Sequence, residues 1–181
     1  MAFGWEGEKV RLTPLDKERH FENAFAWIND PVVTRYLAHG DMPITRPSEE
    51  EWFERASKSN ESDVLFAIET LDGVHLGFNG IHGINWRWGT AVTGTMIGRQ
   101  DMWGQGFGSD AALVRTRYAF DVLNLRLLRS EVMAENIGSI KMLTRAGYQE
   151  VGRIPQLYWK RGAYRDAVIL CALKSEFKDP K

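Results

Sequence analysis

Three glycines at alternating positions constrain this chain more than any other feature of its sequence. They occur in the segment Trp103-Gly104-Gln105-Gly106-Phe107-Gly108-Ser109-Asp110, between an apolar run and a run with helical periodicity. Glycine lets successive backbone N–H groups converge on one point, and the start of a helix adds partial positive charge there. The segment therefore predicts a turn that binds an anionic group such as a pyrophosphate.

The segments on either side of the glycines predict a strand and a helix. Thr90 to Ile97 is β-branched and apolar, which is typical of a strand. From Ser109 to Leu123 apolar residues recur every three or four positions, and Asp110 lies in the first turn, where its charge suits the helix dipole. Strand, glycine turn and helix together fit several nucleotide-like ligands.

The spacing of the glycines separates these ligands. A P-loop needs GxxxxGK[ST] and a dinucleotide fold needs GxGxxG, whereas Gly104 to Gly108 reads GxGxG. A tight turn between strand and helix with no ligand is the alternative for this segment taken alone.

A second unit downstream makes the pattern specific. A strand from Leu127 to Met133 precedes the segment AENIGSIKMLTRAGY, which carries Asn136, Ser139 and the pair Gly147-Tyr148. These residues resemble the GNAT superfamily of acyl-CoA-dependent N-acyltransferases, whose pyrophosphate loop is written Q/RxxGxG/A and whose next strand and helix carry NxxS or NxxA before GF or GY. The stretches WGQGFGSDA, NIGSIKMLTRAGYQEVG and RGAYRDAVIL are most similar to its RimJ/RimL-like branch.

The order of periodic segments predicts one α/β (α+β) domain over residues 1–181, with a mixed, mostly antiparallel sheet of six or seven strands and flanking helices. The resemblance implies the GNAT fold, in which two central parallel strands splay apart. Besides the units above, we expect a strand from Val10 to Leu12 and a helix from Lys17 to Trp27. A second helix begins after a cap at Ser48 and continues to Lys58. Paired strands follow at Val64 to Glu69 and His75 to Ile84, and the chain closes with a hairpin about Lys160-Arg161-Gly162.

The resemblance also implies acetyl-CoA as the acyl donor. Main-chain groups of the strand before the loop would bond to the pantetheine arm, the loop amides would bind the pyrophosphate, and Asn136 would contact the pantetheine or cap its helix. The residues expected to bind the cofactor are Thr95, Met96, Ile97, Arg99, Trp103, Gly104, Gln105, Gly106, Phe107, Gly108, Ser109, Asn136 and Ser139.

Acyl transfer needs an oxyanion donor, a proton for the leaving sulfur and a base for the amine. The resemblance implies that the backbone N–H near Met96 or Ile97 binds the oxyanion and that Ser139 donates to the sulfur. A first-turn helix serine that bonds to its own backbone is the alternative for Ser139. Leu143 occupies the position where many relatives have a tyrosine acid.

The general base is where the sequence departs from the family pattern. Val92 and Tyr158 stand where relatives carry glutamates, so His82, Glu131 or a chain of water molecules must be considered as the base. A histidine titrates near neutrality, although a core or edge histidine is the alternative for His82. For Glu131 the alternative is a simple ion pair.

A weak base favours an acceptor that is already partly neutral. An amine with a pKa near 10.4 is only ~0.04% neutral at pH 7, whereas an α-amine near 7.7–8 is roughly 10–20% neutral. We therefore expect a peptide or protein N-terminus, an amino acid or an amino sugar, with an antibiotic or polyamine amine as the alternative. The loop from Ala38 to Pro47, with His39, Asp41 and Arg46, is the expected specificity element; Asp41 would attract an ammonium group or lie in a solvated turn.

Composition excludes several other classes of function. The 181 residues carry a net charge of −1 with scattered basic residues, so nucleic acid is not an expected partner. The single cysteine, Cys171, cannot form an internal disulfide and lies in an apolar run, where we expect a small core residue. No apolar segment of signal or membrane length is present and no histidines have ligand spacing, so we expect a cytoplasmic protein without membrane or metal, possibly a homodimer.

Two alternatives of other classes stay open at this point. A GNAT-like domain without its base would be an acyl-CoA-binding module that senses or scaffolds. A purely structural protein would have no CoA site at all, because a fold does not by itself fix a function.

Overall fold

The computed structural model describes residues 5–38 and 40–179. These form an eight-stranded sheet in the order β1-β2-β3-β4-β5-β6-β8-β7. The strands are β1 (Trp5–Glu6), β2 (Val10–Thr13), β3 (Val64–Thr70), β4 (His75–Asn85), β5 (Thr90–Ile97), β6 (Leu127–Met133), β7 (Gln149–Lys160) and β8 (Ala163–Leu173). Only β5 and β6 pair in parallel. The mixed, mostly antiparallel sheet is confirmed, with eight strands instead of six or seven because the two-residue β1 extends the edge.

Four α-helices cover the sheet, and two 3-10 turns, Thr34–Tyr36 and Gln100–Met102, lie in its connections. The helices are α1 (Lys17–Ile28), α2 (Arg46–Ala56), α3 (Phe107–Asp121) and α4 (Ile137–Arg145). None of the described helices has both the length and the apolar character needed to cross a bilayer.

Helix α2 begins two residues before the predicted cap at Ser48. Its cap is Thr45, whose hydroxyl accepts the Ser48 N–H at 3.4 Å, and Pro47 lies in the first turn. Proline is favoured there because the N–H that it lacks has no partner within a helix. The prediction placed the cap too late because Ser48 is also a good capping residue.

The two helix pairs lie on opposite faces of the sheet. On β4, Phe78 packs against Phe53 of α2, while the next residue, Asn79, donates to the Ala111 carbonyl of α3 at 2.8 Å. Successive side chains of a strand point to opposite faces, so α1 and α2 cover one face and α3 and α4 the other. The largest core cluster lies under α3 and α4 and includes Phe120, Leu128 and Tyr148.

The predicted splay of the central strands is confirmed. The ladder between β5 and β6 ends at Val92 and Arg129. Directly beyond it, the Ser130 hydroxyl donates to the Thr93 carbonyl at 3.0 Å, and the two hydroxyl oxygens lie 2.6 Å apart. A side chain therefore satisfies a main-chain carbonyl after the ladder has ended, so the gap opens without a buried orphan acceptor.

A fully buried arginine supports β5 from below. Arg115 of α3 donates to the Asn79 amide oxygen and the Thr95 hydroxyl at 2.6 Å each, and to the Gly94 carbonyl at 2.9 Å. No carboxylate of the described residues pairs with it. Neutral oxygens alone hold this charge, which ties α3 to the strand that borders the gap.

Cys171 differs from its predicted place in the core. On β8 its neighbours Leu170 and Ala172 are buried, but the Cys171 side chain faces the other way and is half-buried. An apolar run does not reveal which alternate residues of a strand reach the core. Burial raises the pKa of the Cys171 thiol.

Candidate active site

The glycine turn adopts backbone angles that side chains disfavour. Gly104 and Gly106 have φ values of +77° and +90°, and Gly106 is the residue that precedes α3. Within the described chain, no group accepts a hydrogen bond from the six amides of residues 104–109. Free amides at a helix start bind anions, as the spacing of the glycines predicts.

The N-terminal strand holds this turn in place. The Asp110 carboxylate accepts the N–H groups of Lys9 at 2.8 Å and Val10 at 2.9 Å, and the Lys9 ammonium donates to the Gln105 carbonyl at 2.8 Å. Asp110 therefore does more than complement the helix dipole, because it joins β2 to the first turn of α3. Its carboxylate fixes the orientation of the free amides beside it.

The cleft beside the turn has a volume of about 600 Å³ and is called the glycine-loop cleft here. Of the residues predicted to bind the cofactor, those that line it are Thr95, Met96, Ile97, Trp103, Gly104, Gly106, Phe107, Gly108, Ser109, Asn136 and Ser139. Arg35, Lys141 and Arg145 also line it. Glu135, the one carboxylate in the lining among the described residues, pairs with Arg165 at 3.0 Å. The cleft therefore carries a net positive lining.

Two predicted cofactor residues do not line the cleft. The Arg99 guanidinium pairs with the Asp101 carboxylate at 2.7 Å, and the Gln105 side chain donates to the Asp101 carbonyl at 2.7 Å. Both side chains turn back onto the short helical turn before the glycines. Gln105 therefore contributes only its main-chain N–H, which is one of the six free amides of the turn.

A second cavity of about 570 Å³ adjoins the first and is called the acidic cavity here. The two share the lining residues Tyr36, Leu37, Thr95, Met96, Asn136, Ser139 and Met142. The acidic cavity is lined by Glu49 and Glu131 and by the rings of Tyr36, Trp52 and Phe78. Within the described ranges it contains no lysine or arginine in its lining, so its charge is opposite to that of the cleft.

Ser139 and Asn136 lie at the junction of the two cavities. The Asn136 amide oxygen accepts the Ser139 N–H at 3.2 Å and so caps α4. The capping role expected as one alternative for Asn136 is thus present. The Ser139 hydroxyl makes no hydrogen bond with any residue that the structure describes, so it is available to a ligand at the junction.

His82 lines the acidic cavity with an acidic partner that the sequence analysis missed. Its Nδ1 lies 3.4 Å from the Asp63 carboxylate. A Cβ added at Gly94 would lie 3.9 Å from His82 Nε2, and one at Gly80 would clash with it. The ring therefore lies against β4 and β5 between two glycines, with Nδ1 toward Asp63 and Nε2 toward Gly94 beside Thr95. This is the arrangement of an imidazole oriented by a carboxylate.

Glu131 accepts a hydrogen bond from the Tyr158 hydroxyl. The alternative expected for Glu131 was an ion pair, but its partner is a phenol. Burial, and then the bond to Glu131, raise the pKa of Tyr158, which therefore remains the donor. Tyr158 stands where the family pattern has a glutamate. Its hydroxyl instead holds the carboxylate of Glu131 beside the acidic cavity.

The predicted specificity loop is fixed by the closing hairpin. The Asp41 carboxylate pairs with Lys160 at 2.7 Å and Arg161 at 2.8 Å, and these bonds lower its pKa. The Asp41 carboxylate is therefore not available to an ammonium group of the substrate, because it already forms ion pairs with two residues of this chain. Arg46 likewise pairs with Glu22 at 2.7 Å, and His39 lies outside the described residues.

Comparison with known proteins agrees with this geometry. Residues 9–149 match the family model described as "Acetyltransferase (GNAT) domain". The uncharacterized N-acetyltransferase p20 of Bacillus licheniformis is 28% identical over 173 residues, which cover 94% of this chain and 96% of that protein.

Solved structures show the same fold. A spermidine N-acetyltransferase from Vibrio cholerae, in complex with CoA and spermine, superposes with a TM-score of 0.82 at 20% identity, over 92% of this chain and 96% of that chain. A GCN5-related N-acetyltransferase from Brucella melitensis superposes with a TM-score of 0.76 at 27% identity, over 96% of this chain and 79% of that chain.

Proposed function

Because this chain belongs to the GNAT family and is an N-acetyltransferase that uses acetyl-CoA, we propose that it acetylates a primary amine that has no carboxylate next to it. The observation that supports this most strongly is the opposite charge of two adjoining cavities. The polyanionic donor fits the positively lined glycine-loop cleft, and a cationic amine fits the acidic cavity. The two would meet at Thr95, Met96 and Ser139.

The glycine-loop cleft fits the donor in shape and in hydrogen-bonding groups. Six unpartnered amides at residues 104–109 match the oxygens of a diphosphate, and Lys141 and Arg145 add charge on the facing helix. Thr95 to Ile97 offer main-chain groups along the gap between β5 and β6 to the pantetheine amides. Asn136 keeps a free side-chain N–H₂ group at the same edge, since only its amide oxygen caps α4.

The reaction forms a C–N bond and breaks the thioester C–S bond. The donor supplies an activated acetyl carbonyl; the main-chain N–H near Met96 or Ile97 would bind the oxygen as it gains charge. Ser139 would give its hydroxyl proton to the departing sulfur and regain a proton from the nitrogen of the tetrahedral intermediate. His82, oriented by Asp63, would take the proton that the amine nitrogen loses, and Glu131 would attract the ammonium form into place.

The lining of the acidic cavity narrows the acceptors expected from the sequence. A free amino acid would bring its carboxylate against Glu49 and Glu131 with no lysine or arginine to receive it, so amino acids become poor candidates. A peptide or protein N-terminus and an amino sugar remain. A polyamine is the second candidate, because carboxylates and aromatic rings together bind alkylammonium groups.

We also propose that the chain is a member of the RimJ/RimL-like branch that acts in the cytoplasm as one domain. The three sequence stretches of that branch support the first point. A homodimer is supported by the outer strand β7, which leaves Val151, Ile154 and Leu157 exposed.

A thiol-release assay with acetyl-CoA tests the function. Amidated peptides, amino sugars and polyamines are compared with free amino acids, and we expect turnover only of acceptors without a carboxylate. Ser139→Ala should lower kcat by about 100-fold while CoA binding by calorimetry stays unchanged. Ser57→Ala, which removes an exposed hydroxyl at the end of α2, is the control. Turnover of free amino acids, or CoA binding without turnover of any amine, would overturn the proposal.

A further inference from the structure

Glu49 is a buried residue whose carboxylate has no partner among the residues that the structure describes. It is 6% exposed and lines the acidic cavity. Across residues 5–38 and 40–179, no side chain or main-chain group forms a hydrogen bond or an ion pair with its carboxylate. An ionised carboxylate in such a place is costly unless a cation or a donor meets it.

The chain treats its other buried glutamate differently. Glu69, 1% exposed, accepts a hydrogen bond from His20 at 2.8 Å and pairs with Arg19. Glu69 is therefore satisfied within the fold, while Glu49 is left facing an open cavity. Desolvation raises the pKa of Glu49, and no cation opposes that effect.

Glu49 also differs in position from the groups around the reacting amine. It lines the acidic cavity only, as do its helix neighbours Ser48 and Trp52. The reacting amine must instead reach residues that line both cavities, such as Thr95 and Ser139. An acceptor that reaches Ser139 and also meets Glu49 must therefore carry a second group.

The walls beside Glu49 define the chemistry of that group. The rings of Trp52 and Phe78 lie edge to face with centroids 6.5 Å apart, and both line the cavity. Leu15, Ala24 and Ile28 add an apolar surface. A carboxylate beside aromatic faces binds an ammonium or guanidinium group, and an apolar wall suits a hydrocarbon spacer.

We propose that Glu49 binds a second positive charge of the acceptor, so that this site selects amines with an ammonium or guanidinium group beyond an apolar spacer. The inference rests on the proposed function and specifies its substrate. An alkyl diamine and a peptide whose basic side chain follows the α-amine share this chemistry. Glu49 is thus a specificity residue at the far end of the acceptor, distinct from His82 and Glu131 at the reacting amine.

Matched acceptors separate the charge from the rest of the molecule. The thiol-release assay compares hexylamine with hexamethylenediamine, and the amidated peptide Ala-Ala-Ala with Ala-Lys-Ala, using wild type, Glu49→Gln and Glu51→Gln. Glu51 lies on the same helix but is exposed, so its substitution removes an equal charge outside the cavity. The hexylamine and hexamethylenediamine pair tests whether the second charge belongs to an alkyl diamine. The peptide pair tests whether it belongs to a basic side chain that follows the α-amine.

In wild type, kcat/KM should be about tenfold higher for the dicationic member of at least one pair. Glu49→Gln should abolish that preference by raising the KM of the dicationic member more than that of the monocationic member, and Glu51→Gln should behave as wild type. An equal loss for both members in Glu49→Gln, or no preference in wild type, would overturn the inference.

Binding and stability give readouts that do not depend on turnover. Calorimetry of the CoA-saturated protein should show tighter binding of hexamethylenediamine than of hexylamine, and Glu49→Gln should remove the difference. If the diamine binds more tightly but no amine is turned over, the proposed function is refuted and the Glu49 site is kept. If wild type binds the diamine and hexylamine equally well, the Glu49 site is refuted. Glu49→Gln should also unfold no more readily than wild type at neutral pH, whereas a loss of stability would mark a structural carboxylate.

Discussion

The Ser130 hydroxyl donates to the Thr93 carbonyl at 3.0 Å, one residue beyond the last ladder pair of β5 and β6. This bond takes the place of a main-chain hydrogen bond that the parting strands can no longer make. The Thr93 hydroxyl extends it to the Tyr148 hydroxyl at 3.0 Å. Side-chain hydrogen bonds therefore hold the closed end of the gap that would admit the pantetheine arm.

Ser130→Ala removes the donor and leaves the Thr93 carbonyl buried without it. We expect a loss of about 1–3 kcal/mol in the free energy of unfolding, measured by urea denaturation. Acetyl-CoA binding should weaken as well, because the gap loses a fixed edge. Thr144→Ala, which removes an exposed hydroxyl from α4, is the control. Unchanged stability would show that the strands part without this bond.

Asp110→Asn keeps the size of the side chain but removes the charge that receives three main-chain N–H groups. Charge-assisted bonds to Lys9 and Val10 become weaker, so the glycine turn loses its anchor. We expect the Kd for CoA to rise about tenfold in calorimetry, corresponding to about 1.4 kcal/mol. Asp121→Asn at the other end of α3 should leave the Kd unchanged. A Kd unaffected by Asp110→Asn would mean that the turn holds its shape alone.

His82→Gln and Asp63→Asn test the proton acceptor. We expect His82→Gln to lower kcat about 100-fold, because the imidazole would accept the proton of the amine. Asp63→Asn should cause a smaller loss of kcat, because Asp63 lies beside the ring and does not itself take the proton. Glu61→Gln on the same connection is the control. An unchanged kcat in His82→Gln would assign the base elsewhere.

His75 makes stability depend on pH. Burial, and then the neighbouring His20, lower the pKa of His75 from 6.5 to about 4; Glu69 acts against this and Arg19 with it. As the pH falls, the unfolded chain therefore takes up a proton before the folded chain does. The contribution of His75 to the free energy of unfolding is complete above pH 6.5 and is lost between pH 6.5 and about 4. It amounts to about 3 kcal/mol. Urea denaturation of His75→Gln should show a smaller loss over that range; an unchanged pH dependence would contradict this.

The sequence predicted those parts of the fold that depend on local pattern. The bounds of β5 and β6 are correct because the β-branched run of β5 ends at Gly98 and the apolar residues of β6 end at a polar segment. The loop at Gly104 to Gly108 is correct because positive φ values and free amides leave a direct trace in the spacing of glycines. Such features require no knowledge of distant residues.

The parts that the sequence did not predict depend on packing between distant segments. Glu49, Glu50 and Glu51 read alike as charges near a helix start, and only the packed structure shows that the first is buried. Arg115 of α3 lies in the core, although nothing in the local sequence predicts burial of an arginine there. The sequence predicts that Asp41 either attracts an ammonium group or lies in a solvated turn, but its partner Arg161 lies 120 positions later.

The negative lining of the acidic cavity also bears on release of the product. Acetylation converts an ammonium ion into a neutral amide, so under the proposed function the attraction of that group to Glu131 vanishes with the chemical step itself. The finished amide would then keep its contacts with the apolar walls and, where the acceptor carries a second charge, its ion pair with Glu49, while a fresh cation competes for Glu131. Departure of the product is thereby favoured by the very bond whose formation the enzyme catalyses.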